Sequence, residues 1–180
     1  MKGVVFTEFL DMVDQKFGDK MVDDIINDSN LSTNGAYTAI GTYPHDEIIT
    51  LVVNLSKYSN IPVPDLVYVF GKHLFSRFIV LYANLLEGYA DAFTFLEGIE
   101  NYIHVEVKKL YPDAQLPFFD CSRNGDQLIM NYKSERAMAD LAHGLMEGSF
   151  EHFNENITIK REDTGGGDGT SVRFYLSKND

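Results

Sequence analysis

The chain has five histidines, and histidine is the side chain best suited to bind a metal or to exchange a proton near neutral pH. They are His45, His73, His104, His143 and His152, and no two have the spacing that places a pair of metal ligands on one helix face. His104 differs because it lies in the middle of a predicted helix, between Ile103 and Val105. A lone histidine in this setting is either an ordinary packed residue or an axial ligand, and its spacing alone leaves both open.

A second polar group, Tyr132-Lys133-Ser134-Glu135-Arg136, lies where a predicted strand gives way to a predicted helix. Serine is common at helix N-termini, where its hydroxyl accepts a backbone N–H. If Arg136 formed a surface ion pair, the whole group would be structural. Spacing alone therefore does not separate a helix cap from a binding site.

Two further features favour structural roles. The glycine-rich run 165–169 lacks the lysine and Ser/Thr of a phosphate-binding loop and no predicted helix follows it, so it indicates a hairpin turn. Cys121 is the single cysteine, so it forms no internal disulfide. One cysteine in a strand is more often inert than reactive, with a thiol switch as the alternative.

The composition limits the class of protein. With 180 residues, 44% of them apolar, the chain is long enough for one domain with a substantial core. The 27 acidic and 15 basic residues give a formal net charge of −12, which argues against nucleic acid or an anionic membrane as partner. The first residues fit no secretory signal, and no uncharged apolar run is long enough to span a bilayer, so we expect a cytoplasmic protein.

The elements that position these residues are predicted from hydrophobic periodicity and turn residues. Asn124-Gly125 predicts a hairpin, since both residues tolerate positive φ. A helical part followed by a small antiparallel sheet with a covering helix is an α+β fold. The predicted helices are 2–17, 19–29, 46–58, 63–86, 90–111 and 135–154, the predicted strands are 118–122, 126–132, 156–161 and 170–176, and 30–44 is predicted to be a long ordered loop.

In combination, these features resemble one family. The features are Met1-Lys2-Gly3, the helix with His104, Pro117 thirteen residues later, the Tyr132–Arg136 group and Gly144-Leu145-Met146-Glu147-Gly148. They are similar to the haem-nitric oxide/oxygen binding (H-NOX) family over essentially all 180 residues. That family includes the haem domain of soluble guanylate cyclase and stand-alone bacterial NO sensors.

The resemblance implies a single haem-binding domain over 1–180. A helical distal lobe of about 1–62 would face a proximal α+β lobe of about 63–180, with haem b between them. His104 would be the proximal ligand of the haem iron, an axial role that one imidazole nitrogen can fill.

The resemblance also assigns the residues around the porphyrin. Tyr132, Ser134 and Arg136 would hold the haem propionates, because a guanidinium presents a planar fork to a carboxylate and hydroxyls donate further hydrogen bonds. Pro117 would press on the porphyrin, since its fixed φ makes it stiff. The distal side and porphyrin edge would be lined by Val5, Phe9, Leu74, Phe78, Leu141 and Leu145, for which plain hydrophobic core is the alternative.

The expected gas selectivity follows from one departure. Oxygen-binding members of the family carry a tyrosine where this chain has Leu141. Bound O2 needs a hydrogen-bond donor, whereas NO binds ferrous iron tightly without one. His73 and His143 lie one position from pocket residues, so we expect them to face outward. The resemblance therefore implies binding of NO and CO and exclusion of O2.

The resemblance implies a sensor and not an enzyme. NO would release His104 from the iron, the porphyrin would relax against Pro117, and the change would reach a separate signalling protein such as a histidine kinase or a cyclic-di-GMP enzyme. The alternatives are an O2 or redox sensor of the same fold, a haem peroxidase, and an acidic interaction module without a cofactor.

Overall fold

The computed structural model describes residues 1–179. Its helices are α1 (Gly3–Phe17), α2 (Asp19–Asn27), α3 (His45–Ser59), α4 (Val63–Leu81), α5 (Ala92–Gly98), α6 (His104–Leu110) and α7 (Ala139–Phe153), and its strands are β1 (Phe118–Asn124), β2 (Gln127–Lys133), β3 (Ile157–Asp163) and β4 (Ser171–Lys178). The predicted α+β class is confirmed. None of the helices in this range combines the length and apolar character needed to cross a membrane.

Three predicted helices differ most from the observed ones. The helix predicted over 63–86 ends at Leu81, and a short 3-10 turn follows. The helix predicted over 90–111 begins after Asp91, whose carboxylate accepts the Thr94 N–H at 3.0 Å, and a π-helical turn over Ile99–Ile103 divides it into α5 and α6. The helix predicted from 135 begins only at Ala139, because Ala137 has a positive φ of 51° that no α-helix contains.

The strands form one antiparallel sheet in the order β1-β2-β4-β3. The hairpin predicted at Asn124-Gly125 joins β1 to β2, and Gly125 has the positive φ of 58° that favoured glycine there. Alternate residues of the two central strands point into the core. These buried residues are Leu128, Met130, Tyr132, Val172, Phe174 and Leu176.

The apolar residues gather in two clusters. The helical cluster lies among α1–α4 and includes Phe6, Phe9, Leu51, Leu55, Phe70 and Leu74. The sheet cluster lies among α5, α7 and the sheet and includes Phe75, Phe93, Leu96, Met130, Phe150 and Phe174. Helix α4 contributes to both: its buried residues up to Leu74 belong to the helical cluster, and Phe75 belongs to the sheet cluster, while Phe78 packs against the helical cluster again. The lobe boundary near 62 stays a prediction.

Helices α4 and α7 approach each other closely at two glycines. A Cβ atom added to Gly71 would lie 2.4 Å from the carbonyl oxygen of Leu141, and one added to Gly144 would lie 2.1 Å from that of Tyr68. These distances are shorter than van der Waals contact, so the two backbones touch where side chains would otherwise separate them. This contact joins the helix that spans both clusters to the helix that covers the sheet.

The loop over 30–44 is held by one buried carboxylate. Glu47 is 6% exposed and accepts hydroxyl hydrogen bonds from Ser32 at 2.5 Å, Thr33 at 2.7 Å and Tyr37 at 2.7 Å. The Tyr37 ring stacks on Phe6 of α1 with centroids 4.4 Å apart. The loop is therefore anchored to the helical cluster.

We predict that Gly144→Ala lowers the free energy of unfolding by about 1–3 kcal/mol, the usual cost of overpacking, although alanine favours helices. The added methyl group would press on the Tyr68 carbonyl and separate α4 from α7. Urea denaturation measures the change. Ser76→Ala, on the exposed face of α4, is the control and should stay within about 0.5 kcal/mol of wild type. Equal stability of Gly144→Ala and wild type would contradict the close contact.

Candidate functional site

His104 is the first residue of α6 and directly follows the π-helical turn. Its side chain is 11% exposed, and its ring lies 6.0 Å from that of Phe119 on β1. Its Nδ1 lies 3.2 Å from Oε2 of Glu100, one turn earlier. The wider turn before His104 changes the direction in which this side chain points relative to α5, as π-turns often do at functional sites.

The His104 imidazole suits a metal ligand. Burial lowers its pKa below 6.5, against the opposing effect of Glu100, so the ring stays neutral at pH 7 and can ligate a metal. Its Nε2 makes no hydrogen bond to any residue in 1–179. Within those residues no group of three or more His, Cys, Asp or Glu side chains could hold a metal ion. An iron bound through His104 therefore needs other ligands, which a porphyrin supplies.

Tyr132 and Ser134 place two hydroxyl groups next to each other, and each hydroxyl oxygen accepts a backbone N–H. The Tyr132 oxygen accepts the Met138 N–H at 3.1 Å, and Ser134 Oγ accepts the Arg136 N–H at 3.2 Å. Burial raises the pKa of Tyr132, so its phenol stays protonated and can donate. Two O–H donors are thus positioned at the end of β2 and in the turn that follows.

Arg136 adds a cation to these donors. Its guanidinium donates to the backbone oxygen of Gln115 at 3.2 Å and to the Gln115 side-chain oxygen at 3.0 Å. No carboxylate of residues 1–179 lies within ion-pair distance of it. Ser134 and Arg136 border the same surface cleft as Phe118. The remaining N–H groups of Arg136 can therefore bind a carboxylate from outside the protein chain.

The three segments of the candidate site lie side by side. The ring centroid of Phe119 is 6.0 Å from that of His104 and 5.6 Å from that of Tyr132, so this residue of β1 neighbours both the histidine and the tyrosine. Pro117 is half-buried, two residues before Phe119 and two residues after the Gln115 that binds Arg136. The imidazole of His104 and the phenol, hydroxyl and guanidinium groups of 132–136 are thus brought near each other through Phe119 and Gln115.

Sequence reasoning missed Glu100, Gln115 and Phe119. The i, i+4 spacing of Glu100 and His104 could have indicated the first, because such pairs face each other on a helix. Gln115 and Phe119 carry no comparable signal, since their contacts depend on how the segment before β1 crosses the sheet.

The six expected distal residues lie in or against the helical cluster. Phe9 and Leu74 are fully buried in it, and Val5, Phe78, Leu141 and Leu145 are half-buried and pack against it. They come from α1, α4 and α7. The structure brings them together, while their role at a haem stays a prediction.

The expectation that His73 and His143 face outward is wrong in detail. The His73 side chain is 13% exposed, and its buried Nε2 has no hydrogen-bond partner in the described chain, with the Glu8 carboxylate 3.8 Å away. His143 packs edge-on against Tyr68 and lies 3.4 Å from the Glu147 carboxylate. Helix packing places polar residues around both, which helical spacing alone does not reveal.

Cys121 is a poor candidate for a thiol switch. It is half-buried on β1 with its Sγ 3.9 Å from the Leu96 carbonyl oxygen. Burial and neighbouring carboxylates raise the pKa of its thiol to about 11. The reactive thiolate is therefore scarce at neutral pH.

Three comparisons relate this chain to known proteins. The family model described as Haem-NO-binding matches residues 2–161. The Fe(II) unliganded H-NOX protein from K. algicida is 46% identical, with a TM-score of 0.95 and coverage of 100% of this chain and 97% of that one. The IWP-051-bound H-NOX from S. woodyi in the Fe(II)CO ligation state is 38% identical, with a TM-score of 0.85 and coverage of 99% of this chain and 95% of that one.

A more distant likeness supports the fold alone. An H-NOX protein from S. oneidensis in the Fe(II)NO ligation state is 24% identical, with a TM-score of 0.93 and full coverage of both chains. The arrangement of α4, α7 and the sheet is thus shared at low sequence identity.

We predict that His73 makes the protein less stable in mild acid. Burial lowers its pKa below 6.5, while Glu8 and Asp11 oppose the shift and Arg77 and Lys16 add to it. Between pH 6.5 and that lower pKa the unfolded chain binds a proton that the folded chain does not, so stability falls as pH falls. Urea denaturation at pH 7 and at pH 5.5 (roughly one unit below the ordinary histidine pKa) measures the effect. The free energy of unfolding of His73→Gln should fall less between these two pH values than that of wild type.

The matched control is His45→Gln, at the start of α3. If it flattened the pH dependence as much as His73→Gln, the effect would not arise from the buried position of His73.

Proposed function

Because this chain belongs to the Haem-NO-binding (H-NOX) family, we propose that it is a haem-based sensor that binds NO and CO at ferrous iron, excludes O2 and signals to a separate protein. Haem b is the cofactor of this family, and when bound it supplies an iron with an open position for a diatomic gas. The observation that carries the proposal is the His104 imidazole. It is neutral and buried, its Nδ1 is hydrogen-bonded to Glu100, and its Nε2 has no hydrogen-bond partner in residues 1–179.

His104 would hold the iron through Nε2 on the proximal side. Tyr132 and Ser134 would present their hydroxyl groups to the propionates, and Arg136 would neutralise the propionate charge. Pro117 lies between the Arg136-bound Gln115 and the His104 neighbour Phe119, which supports its role against the porphyrin.

The distal residues support discrimination between gases. Val5, Phe9, Leu74, Phe78 and Leu141 carry no hydrogen-bond donor in their side chains, and they lie together at the helical cluster. O2 bound to iron depends on such a donor, whereas NO and CO do not. The set would therefore favour NO and CO.

His104 would also transmit the signal. If NO weakened the bond between His104 and the iron, α6 and its π-turn would be freed from one constraint, and the equilibrium between two arrangements of these elements would shift. A separate signalling protein, such as a histidine kinase or a cyclic-di-GMP enzyme, would read this change. The proposed role is sensing and not turnover.

We predict that the reduced protein has the absorption spectrum of ferrous haem, that NO and CO each shift its Soret band, and that air yields no stable oxygen complex.

His104→Gly should lose the iron–histidine stretch in the resonance Raman spectrum and keep the circular dichroism of wild type. His152→Gly, near the end of α7, is the control and should keep the stretch.

Two results would contradict the proposal. An iron–histidine stretch that survives in His104→Gly would place the axial ligand elsewhere. A stable oxygen complex of the wild type would overturn the distal argument, which can be checked separately with Leu141→Tyr, because this variant adds a phenol donor to the same set.

We predict that Arg136→Ala weakens haem retention by about tenfold, or about 1.4 kcal/mol, a modest value because the guanidinium is half-exposed and screened by solvent. The rate of haem transfer to apomyoglobin measures it. Arg123→Ala removes the same charge from the β1–β2 hairpin, where Arg123 pairs with Glu97 at 3.2 Å, and should leave retention unchanged. Unchanged retention in Arg136→Ala would make Arg136 an ordinary surface residue.

A further inference from the structure

We propose that Glu100 is a positioning residue for His104: its carboxylate fixes the imidazole for iron ligation and ties the His104 segment to β1. The proposal rests on the proposed function, since it concerns the ligand of the same haem. Glu100 lies in the π-turn Ile99–Ile103, and its side chain is 32% exposed, so one side of the carboxylate meets solvent and the other meets the protein.

One oxygen of Glu100 makes both contacts. Oε2 lies 3.2 Å from His104 Nδ1 and accepts the backbone N–H of Phe119 at 3.1 Å. The two donors come from different elements, the start of α6 and the start of β1. The carboxylate therefore bridges the proximal helix and the sheet at a single atom.

This bridge decides which imidazole nitrogen is free. Oε2 of Glu100 already accepts the Phe119 N–H and so acts as an acceptor, which means that Nδ1 of His104 carries the hydrogen in this contact. The lone pair then lies on Nε2, the nitrogen that has no partner in residues 1–179. A carboxylate at the second nitrogen of a ligating histidine also makes the first a stronger electron donor. Glu100 thus sets both the direction and the strength of the iron–histidine bond.

The neighbouring carboxylates have other partners. Glu97 lies 3.2 Å from Arg123, and Glu106 lies 2.5 Å from Lys109. Among residues 1–179, Glu100 is the carboxylate within ion-pair distance of the His104 ring. Its role cannot be taken over by either neighbour without breaking these pairs.

The bridge also limits where His104 can go. Its second partner, Phe119, is two residues from Pro117 and packs beside Tyr132. If His104 left the iron, a hydrogen bond from Nδ1 to Glu100 would keep the ring near β1, so the π-turn and the strand would move as a unit. Without Glu100 the ring and the strand would move independently.

The test compares Glu100→Gln and Glu100→Ala with wild type in the ferrous haem-bound protein. Gln keeps an acceptor oxygen but loses the charge, and Ala loses both. We expect the iron–histidine stretch to have its highest frequency in wild type, a lower one in Glu100→Gln and the lowest in Glu100→Ala. Haem affinity should fall by roughly 10- to 100-fold in Glu100→Ala. Hydrogen exchange at the Phe119 amide should accelerate in Ala and stay near wild type in Gln. Glu106→Gln, which breaks an exposed pair on α6, is the control and should match wild type in every readout.

The outcomes separate the possible roles. Faster exchange at Phe119 with an unchanged stretch would make Glu100 purely structural and overturn the proposal. An unchanged stretch and unchanged exchange in Glu100→Ala would overturn it as well, as would an equal shift in Glu106→Gln. If the wild type showed no iron–histidine stretch, or if His104→Gly retained it, the proposed function itself would fail, and that result does not depend on any Glu100 variant.

Discussion

The close contact of α4 with α7 is the constraint on which the other parts of the structure depend. At Gly71 and Gly144 the backbones approach too closely for any Cβ atom. Both helices supply residues to the helical cluster and to the sheet cluster, and Leu145 packs against both. Since a packed interface has few alternative arrangements, the position of α4 on α7 sets where residues of the helical cluster such as Leu74 lie relative to the sheet that carries Tyr132.

Carboxylates organise the segments that helix packing does not reach. Glu47 collects three hydroxyl donors from the 30–44 loop, Glu8 binds Arg77 at 2.7 Å across α1 and α4, and Glu100 joins α6 to β1. A buried or half-buried carboxylate is costly unless donors surround it, so each of these positions also determines the conformation of the segment that supplies the donors. An acidic chain with a net charge of −12 therefore uses some of its carboxylates inside the fold.

The parts of the fold that depend on local chemistry could be predicted from the sequence. The hairpin at Asn124-Gly125 and the α+β class follow from turn residues and periodicity, and the resemblance pointed to His104 and Arg136 before any contact was known. The π-turn before His104 has no comparable signal, because its hydrogen-bond pattern differs from an α-helix while its residues do not. The late start of α7 reflects the backbone at Ala137, and the burial of His73 reflects how α1 lies on α4. Both are properties of packing between distant segments.

The segment Gln115–Phe119 connects the two ends of the proposed haem site. Arg136 binds Gln115 through two hydrogen bonds, and Glu100 binds the amide of Phe119. Pro117 lies midway, with its φ fixed by its ring. Each end is thus held by a charged side chain, one beside the proposed propionates and one beside the proposed iron ligand. In the proposed sensor, a change in the propionate contacts or in the position of His104 would act on the same five residues, so Pro117 would be coupled to both ends of the cofactor and not to the porphyrin face alone.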